Sequence, residues 1–232
     1  MSINQPAYLP WLGYFHRIAV SDLHIVLDDV QFEKNSFTNR NKIRTRDGWS
    51  WLTVPVKTSG RFGNLPIHRL EPVQESGWAA KHWKAIQLNY RRAEHFAAHQ
   101  PFLADTYTRN WPCLSGLMKA MNECLLARFD IATPLRFSSE IKVEGRKDEL
   151  VLNLCKAVGA TIYLSGPLGR NYLREELFKD AGIEVRYHDY RHPVYRQVYP
   201  GFEPGMCALD LLLNCGPHSR EILMSDAMQV AR

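Results

Sequence analysis

Apolar positions along this chain keep two different periods, and the places where one gives way to the other mark its elements. Residues 23–27, LHIVL, form a short branched apolar run closed by Asp28 and Asp29, the pattern of a buried strand ending on two carboxylates. Ahead of it, Leu12, Phe15, Ile18 and Ala19 recur at helical spacing, so residues 12–20 are expected as a helix entered through the proline-rich turn. With residues 1–4 as a first strand, the order is strand, turn, helix, strand: a βαβ unit. RDGW at 46–49 reads as a turn between NKIRT and SWLTVPV, which makes a β-hairpin. Helical spacing then returns three times, over 77–92, 94–109 and 115–129, the last with Leu117, Met121, Leu125 and Phe129 on one face. The final third alternates again. A helix over 148–158 stops at Gly159, and strand ATIYLSG is followed by helix NYLREELFKDAG. Strand IEVRYHDY and the apolar helix MCALDLLLNCG complete it. The pattern predicts one α/β domain over 1–232: a Rossmann-like open, mostly parallel sheet with a β-hairpin and a mainly helical insertion at about 77–130.

Composition narrows the class. The 232 residues are 45% hydrophobic and 23% charged, enough to bury a sizeable core. No apolar run is long enough to span a bilayer and no basic-then-apolar leader opens the chain, so no membrane partner is expected and the cytoplasm is the expected compartment. The five cysteines form no CxxC pair, which disfavours a disulfide framework or a zinc ribbon, and no metal-ligand set is expected. The formal charge of +5 favours acidic partners: phosphates, nucleotide sugars or nucleic acid.

In an open α/β sheet, ligands bind beyond the carboxyl ends of the strands. Three unusual loops are expected there: QPAYLPWLGY, DDVQFEK and LSGPLGRNY. In the first, Gln5, Tyr8 and Tyr14 can hydrogen-bond a ligand and Trp11 can stack on a base or sugar; singly, each ring is as readily core. Asp28 and Asp29, adjacent in a strand, would point to opposite faces, one holding a ligand group and the other serving as a structural cap. They could hold Mg2+ only with help from phosphates and water, and no other cofactor is called for. FEKNSFTNRNKIRTR places Lys34, Asn39, Arg40 and Lys42 close to Gln31, a set suited to phosphate or carboxylate recognition or to a solvated hairpin face. SGPLG, with Ser165 and Gly166, resembles a phosphate-cradling turn before a helix, without a Walker or GxGxxG pattern. In YHDYRHPVYRQ, Pro193 argues against a helix, so His188 and His192 are not paired metal ligands. His192 is a candidate general base and Tyr195 a candidate ligand contact.

QPAYLPWLGYFHRI, SDLHIVLDDVQFEKNSFTNRNKI, YLSG, DYRHPVYRQ and LDLLLNCG together resemble the WbqC-like protein family, over nearly the whole chain. Members often carry a histidine before the Gln-Pro; here the position is Asn4. The resemblance implies a bacterial or phage cytoplasmic protein. It also implies a role near O-antigen biosynthesis, attaching glycine or another amino-acid group to a sugar, or attaching amino acids to modified thymine in DNA. It supplies no settled catalytic residues. The βαβ opening also looks like the nucleotidyltransferase and class I synthetase fold, with LPWLGY where HxGH would stand. The expectation is therefore an amino-acid or acyl transferase acting on a nucleotide-linked sugar. Asp28, Asp29 or His192 would handle protons. A DNA-modifying transferase and a non-catalytic nucleotide- or glycan-binding module are the alternatives.

Overall fold

Strand β1 (Ser2–Asn4) has a neighbour on each side, and everything else is arranged around it. The computed structural model describes residues 1–60 and 63–225. β1 pairs in parallel with β2 (His24–Val26) in the register Ser2 with His24 and Asn4 with Val26, and on its other side with β6 (Ile162–Ser165), Ser2 opposite Leu164. β5 (Leu135–Phe137) lies beyond β2 and β7 (Glu184–Tyr187) beyond β6, giving the order β5-β2-β1-β6-β7, all parallel. The hairpin is β3 (Arg40–Thr45) against β4 (Gly48–Thr53), closed where Thr45 pairs with Gly48. β5 escaped the sequence pattern because it is three residues long with the exposed Arg136 at its centre.

Helix α1 (Leu12–Ala19) joins β1 to β2. Every residue from Leu12 to Ile18 is buried, so this helix is covered all round and not on the single stripe that its spacing suggested. One side lies on the sheet. The other is covered by the core that the insertion helices α2 (Trp78–Tyr90), α3 (Phe96–Thr108) and α4 (Leu114–Arg128) share with the late helices. On the far face of the sheet, α6 (Asp148–Ala157) and α7 (Glu175–Asp180) pack on Ile3, Ile25 and Tyr163 to form a second core. Ahead of α6 in sequence, the one-turn α5 (Ser138–Ile141) follows β5 directly. The late helices are α8 (Ala208–Cys215) and α9 (Ser219–Ser225). The helix expected over 171–182 is shorter, because a 3-10 turn occupies Pro167–Asn171 and α7 begins only at Glu175.

Two buried polar networks fix the layers against each other. The Asp210 carboxylate on α8, 0% exposed, accepts hydrogen bonds from Tyr90 Oη (2.8 Å), Tyr195 Oη (2.8 Å) and Gln197 Nε2 (2.9 Å). Burial raises its pKa and these three donors oppose the rise. Tyr90 Oη in turn accepts from the Arg44 backbone N–H at 2.8 Å, which ties the hairpin to α2. In the second network His82 Nε2 donates to the Thr53 carbonyl at 3.1 Å. Its Nδ1 is then an acceptor, so Tyr8 Oη donates to it (2.8 Å) and Tyr107 Oη donates to Tyr8 (2.6 Å).

Both networks make predictions. Asp210→Asn turns an amide N–H toward groups that are themselves donors, and denaturant unfolding should show a loss of about 2–3 kcal/mol. Burial, the largest cause in each case, holds His24 at about 3, His82 at about 4 and His188 at about 3. The unfolded chain takes up these protons below about pH 6.5 and the native state does not. Stability is therefore full above pH 6.5 and falls as pH drops toward 4. A series of thermal melts from pH 7 to pH 4 should show this slope, and His82→Gln should make it shallower.

Candidate functional site

The chain leaves β1 toward β2 and leaves β6 toward β7, in opposite directions. The carboxyl ends of β1 and β6 therefore part and open a crevice at the topological switch point. It has a volume of about 350 Å³ and is lined by Asn4 and Gln5 at the end of β1, Trp11 at the start of α1, Phe37 before the hairpin, and Tyr163 and Tyr172 from β6 and the turn after it. Apart from the two tyrosines, no titratable side chain lines it. Asn4 Nδ2 is buried there without a hydrogen-bond partner. A larger hollow of about 540 Å³ runs along α7 and the outer edge of β7 beside Glu175, Glu176 and Glu184. It is open and lies at the sheet edge, away from the strand ends, so the smaller crevice is the better binding site.

The opening loop sorts its rings between wall and core. Gln5 is exposed and lines the crevice with Trp11, whereas Tyr8 and Tyr14 are 0% and 1% exposed and belong to the core. Gly13 makes the Trp11 position possible: a Cβ there would fall 2.9 Å from the Tyr190 ring and 3.2 Å from Trp11 Nε1. The loop also holds Leu9 at φ +48°, a conformation that L-residues rarely adopt. Asn41 Nδ2 bonds the Leu9 carbonyl at 2.5 Å and so helps to hold it there.

Asp28 and Asp29 do not point to opposite faces. β2 ends at Val26, so both lie past the strand, and both reach the Ser138 hydroxyl: Oδ1 of Asp28 at 3.1 Å and Oδ1 of Asp29 at 2.5 Å. One hydroxyl proton cannot serve two carboxylates at once. Asp28 is 5% exposed and also accepts from the Ser139 N–H (3.0 Å) and Oγ (2.9 Å), which ties the end of β2 to the start of α5. Asp29 is half-buried and, among the described residues, holds only the Ser138 contact. Both stand at the carboxyl edge of the sheet, one strand over from the crevice, and neither lines it.

The basic stretch divides. Gln31 spends its amide on the Phe32 carbonyl and the Leu65 N–H, and with Lys34 it borders a separate hollow of about 360 Å³. Asn39 Nδ2 bonds the Val54 carbonyl at 2.8 Å inside the hairpin. Arg40 lies 4.3 Å over the Trp51 ring, and Lys42 lies 4.0 Å over the Trp49 ring. Rings continue from there: Trp49 to Trp51 at 5.6 Å, Trp51 to Phe37 at 6.1 Å, and Phe37 to Trp11 at 5.2 Å. The row ends in the crevice wall.

In the SGPLG turn, Ser165 is 1% exposed and its hydroxyl turns inward, 3.1 Å from the Gly166 carbonyl and beneath Gly169. The five-residue 3-10 segment that follows replaces the helix start expected at this turn. His192 Nδ1 bonds the Pro193 carbonyl at 3.0 Å and its ring packs on Tyr195 and Phe202. Tyr195, 7% exposed, belongs to the Asp210 network, so both stand outside the crevice lining.

Sequence reasoning missed Phe37 and Tyr172, exposed at 45% and 46%, and the buried Arg17 of α1. The signal for Arg17 was present: a guanidinium inside a helix of otherwise mostly apolar and aromatic residues. His16, next to it, has Nδ1 2.6 Å from Nε2 of His188. Among the described residues, no three His, Cys, Asp or Glu side chains are grouped to hold a metal ion. No helix among them is long and apolar enough to cross a membrane.

Comparison with known proteins adds a lineage. A Mycobacterium tuberculosis protein described as uncharacterized, Rv1507c, is 37% identical over 225 residues, covering 96% of each chain. No solved structure matches the chain. The WbqC-like protein family matches residues 5–222, from the crevice loop to the last helix, and the chain belongs to that family.

Proposed function

We propose that the crevice takes a nucleotide-linked sugar and that the protein attaches an amino-acid (glycine-like) or acyl group to it in surface-glycan assembly. The observation that carries this is a switch-point crevice whose wall rings, Trp11 and Phe37, flank uncharged polar groups at the end of β1. A ring pair offers a stacking face to a base or sugar, and Asn4 and Gln5 supply donors and acceptors. Membership of the WbqC-like family supports the same direction.

With an activated acyl donor as co-substrate, the incoming amine forms its bond to the acyl carbon as the donor's leaving group departs; the amine attacks only when neutral, so the transfer also needs an acceptor for its proton. Asp29 suits that task. It stands at the carboxyl edge of the sheet and keeps lone pairs beyond its single Ser138 contact. Asp28, saturated by Ser138 and Ser139, positions the loop. Asp29→Asn should lower turnover by about 10²–10⁴-fold with little change in melting temperature. Asp28→Asn should instead lower the melting temperature. Turnover measured for both variants separates the roles, and an unchanged rate in Asp29→Asn removes Asp29 from the scheme.

A second reading has one observation of its own, the row Trp49–Trp51–Phe37–Trp11 with Arg40 and Lys42 over its tryptophans. Rings interleaved with cations also suit a strand of DNA, and the transferred group would then go to a base. Fluorescence titration with a single-stranded oligonucleotide decides. The DNA reading expects affinity to fall about tenfold or more between 50 and 200 mM salt and to weaken further in Trp51→Ala. Absence of binding at low salt leaves the nucleotide-sugar reading.

A further inference from the structure

Arg17 is 6% exposed, and among the described residues its charge has no counterpart. Among the described residues no carboxylate lies within ion-pair distance of its guanidinium and no hydrogen bond leaves it; Nε is buried without a partner. A buried, unpaired cation is expensive. Most basic groups escape the cost by losing the proton, but arginine cannot.

The surroundings do not offset it. Its ionisable neighbours are Tyr163, Tyr14 and Tyr172, all held in the neutral form chiefly by burial. His24 and His188 also feel it and are held neutral, chiefly by burial and in part by Arg17 itself. Two carboxylates on these loops are already committed: Asp189 to Arg170 at 2.7 and 2.6 Å, and Asp148 to Arg174 at 2.7 and 3.2 Å.

Geometry directs the group to the end of β6. A Cβ on Gly166 would fall 2.4 Å from Arg17 Nη1, so glycine is what lets the guanidinium lie against the strand end. Ser2 pairs with Leu164. Asn4 closes β1 and Gly166 is the first residue past β6, so both stand where the two strands end. Asn4 brings a second buried donor without a partner. Tyr163 and Tyr172, the neighbours of Arg17, are crevice wall.

We propose that Arg17, with Asn4 beside it, anchors an oxyanion subsite at the β6 end of the crevice, for a phosphate or carboxylate group of the ligand. This deepens the proposed function by giving one end of the ligand a negative charge. A guanidinium fork fits two oxygens of either group. The base or sugar would then extend toward Trp11 and Phe37.

The test is a thermal shift on the full chain with inorganic phosphate, pyrophosphate and acetate at constant ionic strength, so it reads binding without turnover. It stands or falls independently of the transfer chemistry. Phosphate or pyrophosphate should raise the wild-type melting temperature by about 3–5 °C at ten times the dissociation constant if the group is a phosphate, and acetate should do so if it is a carboxylate. Arg17→Met keeps an unbranched stem and removes the guanidinium with its charge. Its unliganded melting temperature should equal or exceed that of the wild type, with the anion shift lost. Gly166→Ala, which displaces the guanidinium without removing it, should weaken the same shift at least fivefold in dissociation constant. No shift in the wild type with any of the three anions, or a shift retained in Arg17→Met, overturns the proposal. So does a lower unliganded melting temperature in Arg17→Met, which marks a structural cation.

Discussion

A carboxylate buried completely and met by neutral donors holds the layers of this protein in register. Asp210 is taken out of solvent completely and answered by three neutral donors from two other stretches of chain. That arrangement is costly unless every donor arrives. Tyr90 brings the helical insertion, and Tyr195 and Gln197 bring the long coil after β7. The Arg44 N–H, bonded to Tyr90, brings the hairpin. The hairpin in turn presents its ring row to the crevice. α8 itself starts beside the opening loop, where the Ala208 N–H bonds the Pro10 carbonyl at 2.8 Å. The wall of the crevice is thus set from behind, by a group that no ligand touches.

The crevice itself follows from topology. Neighbouring strands that send their connections opposite ways must part at their carboxyl ends, and here those strands are β1 and β6. What the sequence adds there is selective: rings on the wall, amides on the floor, and a single charge kept just behind the strand ends. Such a lining is weakly polar at its surface and strongly polar one layer down. Ligand charge and ligand face can be read by different parts of the same pocket.

Periodicity carried most of the architecture. The βαβ opening, the hairpin, the three middle helices and the late α/β rhythm all stand where spacing placed them. β5 did not appear because three residues with an arginine at the centre make no pattern. α7 starts later than the helix expected over 171–182 because a 3-10 turn has the same residue types as a helix start. The site was less legible. The rings of QPAYLPWLGY look alike in sequence, yet Tyr8 faces His82 and Trp11 faces the crevice, and only the fold separates them. The two aspartates lost their expected alternation because the strand ends at Val26, before either of them. Arg17 was passed over because a charge at helical spacing ordinarily means a solvated face, and here that face meets the sheet.

The position of β1 has a consequence for synthesis. The strand precedes both of its neighbours in the chain, and β2 can join it after about twenty more residues. β6, its other neighbour, is translated about 160 residues later, which at 5–20 residues per second is a delay of roughly 10–30 s. Through that interval the centre of the future sheet is an edge, with one row of backbone groups unpaired. The nascent chain therefore has to be kept from pairing with other strands until its own arrives, and the crevice cannot form before β6 does.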